Sequence, residues 1–184
     1  MAYHHGDLRR TLLAAAVEAI AEHGPAAVSL RDLARRAEVS HAAPAHHFGD
    51  KAGLLTAVAV EGFTLLAGAL RETGERSGSY LEMGVAYVAF AVEHPAHFAV
   101  MFRPDLYHAD DPAVRDAKAA ARASLTGGLA LLSGPRDGDP AVAALAAWSM
   151  MHGLATLWLS GSIPNAPGDD PRELARAIAV VLFP

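Results

Sequence analysis

The segment Val28–Lys51, VSLRDLARRAEVSHAAPAHHFGDK, decides how this chain reads. Leu30, Leu33, Ala34 and Ala37 recur at spacings of three and four, the period of a helix with one apolar side. Ser29 and Asp32 form a Ser-x-x-Asp capping box, so a short helix is expected to start there. A break at Glu38-Val39-Ser40 follows, then a second short segment, His41–Phe48, for which Ser40 offers a cap. Asp50 opens a long helix through Leu54, Leu55, Val58, Leu65, Leu66 and Ala69. Two short helices joined by a tight turn and flanked by long ones meet the requirements of a helix-turn-helix. Ala34 is small where the two short helices must cross, and Val39 puts an apolar side chain in the joint. Pro44 falls near the first turn of the second helix, where a missing N–H costs least.

Outward from this segment the pattern stays helical. Leu8, Leu12, Ala16 and Ile20 make a stripe that ends at Gly24-Pro25. Asp111-Pro112, Asp139-Pro140 and Asp170-Pro171 each place a cap acceptor before proline at the first helical position, predicting three helix starts. Tyr80–Glu93 and Pro95–Met101 read as further helices, and Gly134–Gly138 and Gly161–Gly168 as loops. No alternating run of strand type survives beyond a few positions. The expected fold is all-α, with about nine helices. A helix-turn-helix part over residues 1–52 is expected to precede a larger helical part over 53–184.

The chain has 184 residues, 52% hydrophobic, with no cysteine and a net charge of -5. The missing cysteine excludes disulfides, thiol nucleophiles and thiolate metal sites. No run of about 18 apolar residues free of charge or glycine is present, so no membrane partner and a cytoplasmic location are expected. Acidic charge argues against a nucleic-acid partner until it is divided by region. Met1–Leu55 holds six Lys/Arg and six Asp/Glu, so the whole excess of acid follows it. Six of the ten histidines also fall in this neutral part, and His41, His46 and His47 are expected to serve as partial cations beside phosphate.

The run from Val28 to Ser40, with His47-Phe48-Gly-Asp-Lys51 and Leu54-Leu55 behind it, resembles the DNA-binding domain of the TetR-type transcriptional repressors. Ala147-Trp148 and His152-Gly153-Leu154 resemble the subgroup with a Trp-His-Gly segment in its C-terminal region. The resemblance implies a homodimer on a palindromic double-stranded operator, released by a small-molecule effector. It implies base or backbone contacts in the major groove from Arg31, Ser40, His41, Ala42, Ala43, Ala45 and His46, and phosphate contacts from His47 and Lys51. Two departures stand out. Pro44-Ala45 replaces the usual Leu-Tyr, whose tyrosine touches phosphate, and Glu38 replaces the usual turn glycine, which suggests a turn without positive φ.

Asp139–Ser160 is apolar on more than one side, and the last helix adds its own stripe. Leu145, Ser149, Gly153, Thr156 and Ser160, with Leu174, Ile178 and Val181, are the expected dimer interface, as the resemblance also implies. It further implies a ligand pocket, with candidate walls Phe63, Tyr87, Phe90, Phe98, Met101, Phe102, Met151, His152 and Trp158, suited to a fairly apolar effector. Core packing is the competing reading for each of these. No cofactor and no metal site are expected: His94 and His97 lack a completing carboxylate pattern, and adjacent His46 and His47 point apart on a helix. No nucleophile elbow or phosphate-cradling glycine motif points to an enzyme. The alternative function is a dimeric helical ligand-binding or interaction protein whose reading head has weakened, because alanine dominates its second short helix.

Overall fold

A computed structural model of the chain describes residues 5–128, 139–164 and 168–182; the loop expected at Gly134–Gly138, and the middle of that at Gly161–Gly168, lie outside them. Among the described residues there are nine α-helices and no strand, so the all-α reading holds. In chain order the helices are α1 (His5–His23), α2 (Leu30–Arg36), α3 (Ala43–Phe48), α4 (Lys51–Ser77), α5 (Tyr80–Glu93), α6 (Pro95–Met101), α7 (Pro112–Gly127), α8 (Pro140–Leu159) and α9 (Pro171–Leu182). A 3-10 turn, Pro25–Ala27, lies between α1 and α2. The Asp-Pro starts of α7, α8 and α9 form as expected. Asp111, Asp139 and Asp170 each accept at 2.8 Å from the backbone N–H two residues on.

The helices form two compact units. The first contains the chain to Phe63 together with Pro95–Lys118; the second contains Thr64–His94 and the chain from Ala119. Packing thus divides α4 between Phe63 and Thr64. The first unit has a continuous core in which Leu12, Ala16, Ile20, Leu33, Leu54 and Val58 meet Ala96, Val100, Tyr107 and Val114. Residues 95–118 join this core because α1 packs on α6. α4 and α6 approach closely at Gly62, where a Cβ would lie 2.6 Å from Met101 Sδ and 3.0 Å from His97 Cβ.

In the second unit α5 packs against both α8 and α9. Met83, Val85, Tyr87, Val88, Phe90 and Ala91 of α5 are buried, as are Ala147, Met151, Leu154 and Ala155 of α8 and Leu174, Ala175 and Ala179 of α9. Arg176 grips Glu82 through two hydrogen bonds of 3.0 and 2.9 Å, and Arg172 pairs with Glu93, so α9 is tied to both ends of α5. α4 and α8 are long and apolar enough to cross a membrane by composition, although neither is an uninterrupted apolar run. Their burial separates them: 61% of the α4 window is buried inside the chain, against 22% for α8. α4 is therefore a core helix, and α8 presents a wide apolar face.

Candidate nucleic-acid interface

α2 starts after Ser29, whose backbone is extended as an N-cap requires, but the serine side chain makes no capping bond. The expected capping box is corrected here. Asp32 instead accepts from Arg35 at 2.6 Å and from Arg36 at 2.9 Å, and Arg36 reaches on to Glu22 of α1 at 2.8 Å. Arginine donors outcompete a backbone N–H for the carboxylate because the bond is charge-assisted on both sides. The hydrogen bonds from Arg35 and Arg36 hold the Asp32 carboxyl below its usual range, and that from Arg36 does the same to Glu22. Arg35 and Arg36 are thus engaged, whereas Arg31 is exposed and has no partner among the described residues.

The turn after α2 departs from expectation. Glu38 has φ of 54°, in the left-handed region. Its N–H donates to Arg35 O at 3.3 Å, and the N–H of Val39 donates back to Ala34 O at 3.0 Å. These two bonds make a Schellman motif with a glutamate where glycine is preferred. The demand for a reversal within three residues overrides the side chain's preference. Leu33 and Ala34, both fully buried, set that demand by holding α2 against the core and α3.

α3 starts two residues later than expected, after Ala42, and Ser40 is not its cap. Ala42 has φ -80° and ψ -20°, already helical, and no side chain caps the helix. The Ser40 carbonyl accepts from Ala43 N–H at 3.0 Å, so the turn is closed by backbone alone. Pro44 and Phe48 face inward and are buried, while His41, Ala42, Ala45 and His46 are exposed and Ala43 and His47 half-buried. Arg9 of α1 lies 5.2 Å over the Phe48 ring, bracing the inward side. Gly49 ends the helix with φ of 75°, which glycine alone adopts without strain, and Asp50 caps α4 by accepting from Gly53 N–H at 2.8 Å.

Lys51, expected at phosphate, donates to Ala26 O at 2.6 Å. An ammonium has three donors, so this tether occupies one and leaves a local cation at the foot of α4. Arg31, His41 and His46, the expected polar readers, are therefore all exposed in the helix-turn-helix. His108, which the sequence does not mark, approaches this region: its N–H donates to Thr56 Oγ1 at 3.0 Å and its Nε2 lies 3.6 Å from Asp50 Oδ1.

The expected pocket walls separate into two clusters. Phe63, Phe98, Met101 and Phe102 belong to the first unit, where Phe102 meets Phe63 and Phe98 edge-on with centroids 5.8 and 5.1 Å apart. Lys118, missed in the sequence, lies 5.5 Å over Phe63 and 5.4 Å over Tyr107. Tyr87, Phe90, Met151, His152 and Trp158 belong to the second unit. There Tyr87 Oη lies 2.9 Å from His152 Nδ1 and accepts from Trp148 Nε1 at 3.2 Å. A groove of about 620 Å³ in the second unit is lined by α4, α5 and two arginines of α9, and among the expected wall residues it includes Phe90. His94 and His97 fall in different units, and His97 is bonded to Glu61 at 2.9 Å.

Of the expected dimer residues, Leu145, Ser149, Thr156, Ser160 and Val181 are exposed and Gly153 and Ile178 half-buried. Leu174 is a correction: at 7% exposure it belongs to the inward stripe of α9 with Ala175 and Ala179. Val142, Trp148, Leu157, Leu159 and Val180 add exposed apolar surface beyond the expected dimer residues.

The model of the tetracyclin repressor-like C-terminal domain matches residues 80–182, more than half of the chain, and that of the bacterial regulatory proteins of the tetR family matches residues 12–58. The chain belongs to the TetR family. Its fold agrees with that of a Rhodococcus sp. RHA1 protein of unknown function, at 34% identity and TM-score 0.78 over 98% of this chain and 96% of that one. It is also similar to the TetR family transcriptional regulator PfmR of Thermus thermophilus, at 23% identity and TM-score 0.72 over 94% and 96% of the two chains. A shorter match, 44% identical over 52 residues, is to the HTH-type transcriptional repressor Rv3405c of Mycobacterium tuberculosis. That stretch spans 28% of each chain. The TetR assignment accounts for both the helix-turn-helix at the front and the helices behind it.

Proposed function

We propose that this TetR-family chain represses transcription by binding a palindromic operator as a homodimer in the cytoplasm, and that a small, fairly apolar ligand releases it. The observation that carries the DNA-binding reading is the outward face of the helix-turn-helix. Arg31, His41, Ala42, Ala45 and His46 are exposed while Leu33, Ala34, Pro44 and Phe48 beneath them are buried. Base contact is assigned to Arg31, His41 and His46 with methyl contacts from Ala42, Ala43 and Ala45, and backbone contact to Ser40, His47 and Lys51. Residues 1–52 act as the reading head and 53–184 as the effector and dimerisation region.

The dimer reading rests on α8 and α9, where Leu145 is 56% and Val181 77% exposed. A second copy of the chain covers this face by two-fold symmetry and sets the spacing of the two heads. The effector's apolar character is read from the aromatic and methionine side chains of the two clusters. An electrophoretic shift with the chain's own promoter region, repeated with Arg31→Ala and Lys51→Ala, tests the reading; retarded DNA that both variants weaken is expected. No shift at low salt would turn the conclusion to the second reading, a dimeric helical ligand-binding protein. That reading is favoured by the uncapped, alanine-rich α3.

A further inference from the structure

Between Pro140 and Ser160 the sequence carries no Asp, Glu, Lys or Arg, and His152 is the one titratable side chain there. At about 100° per residue, Leu145, Ser149, His152 and Thr156 follow one another down the middle of the outward face of α8. Leu145, Ser149 and Thr156 are exposed and His152 is half-buried. His152 Nδ1 lies 2.9 Å from the buried Tyr87 hydroxyl, which also accepts from Trp148. An indole N–H only donates, so the phenol oxygen accepts from Trp148, and the same hydroxyl shares a hydrogen bond with His152 Nδ1 whose direction follows the imidazole tautomer.

We infer that His152 is a proton-binding site at the centre of the dimer seam, so that taking up a proton loosens the dimer. The inference rests on the dimeric reading of α8 given above. Protonation would place a cation on the otherwise uncharged face of α8. Symmetry doubles the effect, because each subunit brings the same charge to the same seam.

The neighbouring charges do not offset it. α5 presents Tyr87, whose ionisation burial suppresses, and its Glu82 and Glu93 are gripped by Arg176 and Arg172 of α9. Glu173 is exposed on α9, and α8 brings no carboxylate. Burial already pushes His152 below the ordinary histidine range in the single subunit. A seam that excludes water pushes it further. The proton is thus bound more weakly in the dimer than in the separated chains. Association is independent of His152 above about pH 7 and weakens as pH falls below the ordinary range near ~6.5, through the lowered value of the separated chain. With two copies, the dissociation constant can rise up to about a hundredfold per pH unit inside the window.

Sedimentation equilibrium of the full chain at about pH 7.5, 6.5 and 5.5, at constant ionic strength, tests this. The dimer Kd is expected to rise at least about tenfold across the series in the native chain and to stay level in His152→Leu. Dilution calorimetry of the native chain near pH 6 in two buffers of different ionisation enthalpy needs no variant, and should show protons taken up on dissociation. A Kd that is constant over the series, an equal rise in His152→Leu, or dissociation without proton uptake overturns the inference while leaving the dimer standing. A chain that is monomeric at pH 7.5 and micromolar concentration overturns the dimeric reading and the inference with it.

Discussion

The ammonium of Lys51 donates to the carbonyl of Ala26 across 2.6 Å, tying the first residue of α4 to the 3-10 turn that precedes α2. The tether holds one cation at a set position beside the turn that leaves α3. Lys51→Ala removes both the tether and the proposed phosphate contact. The expected outcome is weaker binding that is uniform across operator sequences, with the slope of log affinity against log salt reduced by about one. Electrophoretic shifts at four salt concentrations measure it; an unchanged slope would remove Lys51 from the interface.

Glu38 occupies the left-handed position of the turn, φ 54°, at a cost of roughly 1–2 kcal/mol that glycine does not incur. Part of that gain is lost to the greater freedom of glycine in the unfolded chain. Glu38→Gly is expected to stabilise the protein by about 0.5–1 kcal/mol, seen as a rise in thermal midpoint with the same operator affinity. A lower midpoint would contradict the Schellman geometry.

Ala34 is fully buried in the core of the helix-turn-helix, in the α2 that packs on α3. Ala34→Leu forces several methylenes into a filled space and should cost about 1–3 kcal/mol, with loss of the operator shift. Ala34→Gly, which leaves space but loosens the helix, should cost about 1 kcal/mol and retain the shift. Denaturant melts read both, and equal effects would argue against a close crossing.

Asp32 and Glu22 share the Arg36 guanidinium, and both carboxyls are held below their ordinary values. Their contribution is present above the unfolded-state values near 3.8 and 4.5 and is lost as pH falls through the lower folded-state values. Both groups are exposed enough to be screened, so the effect is small. The gap in thermal midpoint between the native chain and Asp32→Asn should be open at neutral pH and closed near pH 2–3. A gap that persists in acid would mean that the asparagine acts through something other than charge.

The elements themselves were legible from local patterns. Spacings of three and four marked the helices, and Asp before proline marked the starts of α7, α8 and α9, because helix formation and capping depend on neighbours within one turn. The exposure of Arg31 was legible too, since Leu30, Leu33 and Ala37 claimed the inward side of α2, whereas His41 and His46 followed from the resemblance. Capping by Ser29 and Ser40 was misread for a physical reason. Asp32 took its partners from Arg35 and Arg36, and Arg36 in turn took Glu22, fourteen residues earlier.

By itself, the sequence determined the helical fold, the helix-turn-helix and the absence of formal charge from α8, all of which follow from residue type at short spacing. Tertiary structure decided what distance in the chain conceals. It placed Tyr107 and Val114 in the core of the first unit, forced Glu38 into a left-handed turn, and buried Leu174 in its own subunit. It also brought Tyr87 to His152, 65 residues apart, in a hydrogen bond between the phenol oxygen and Nδ1. Such pairings depend on which faces of α5 and α8 meet, and the periodicity of either helix alone carries no information about that choice.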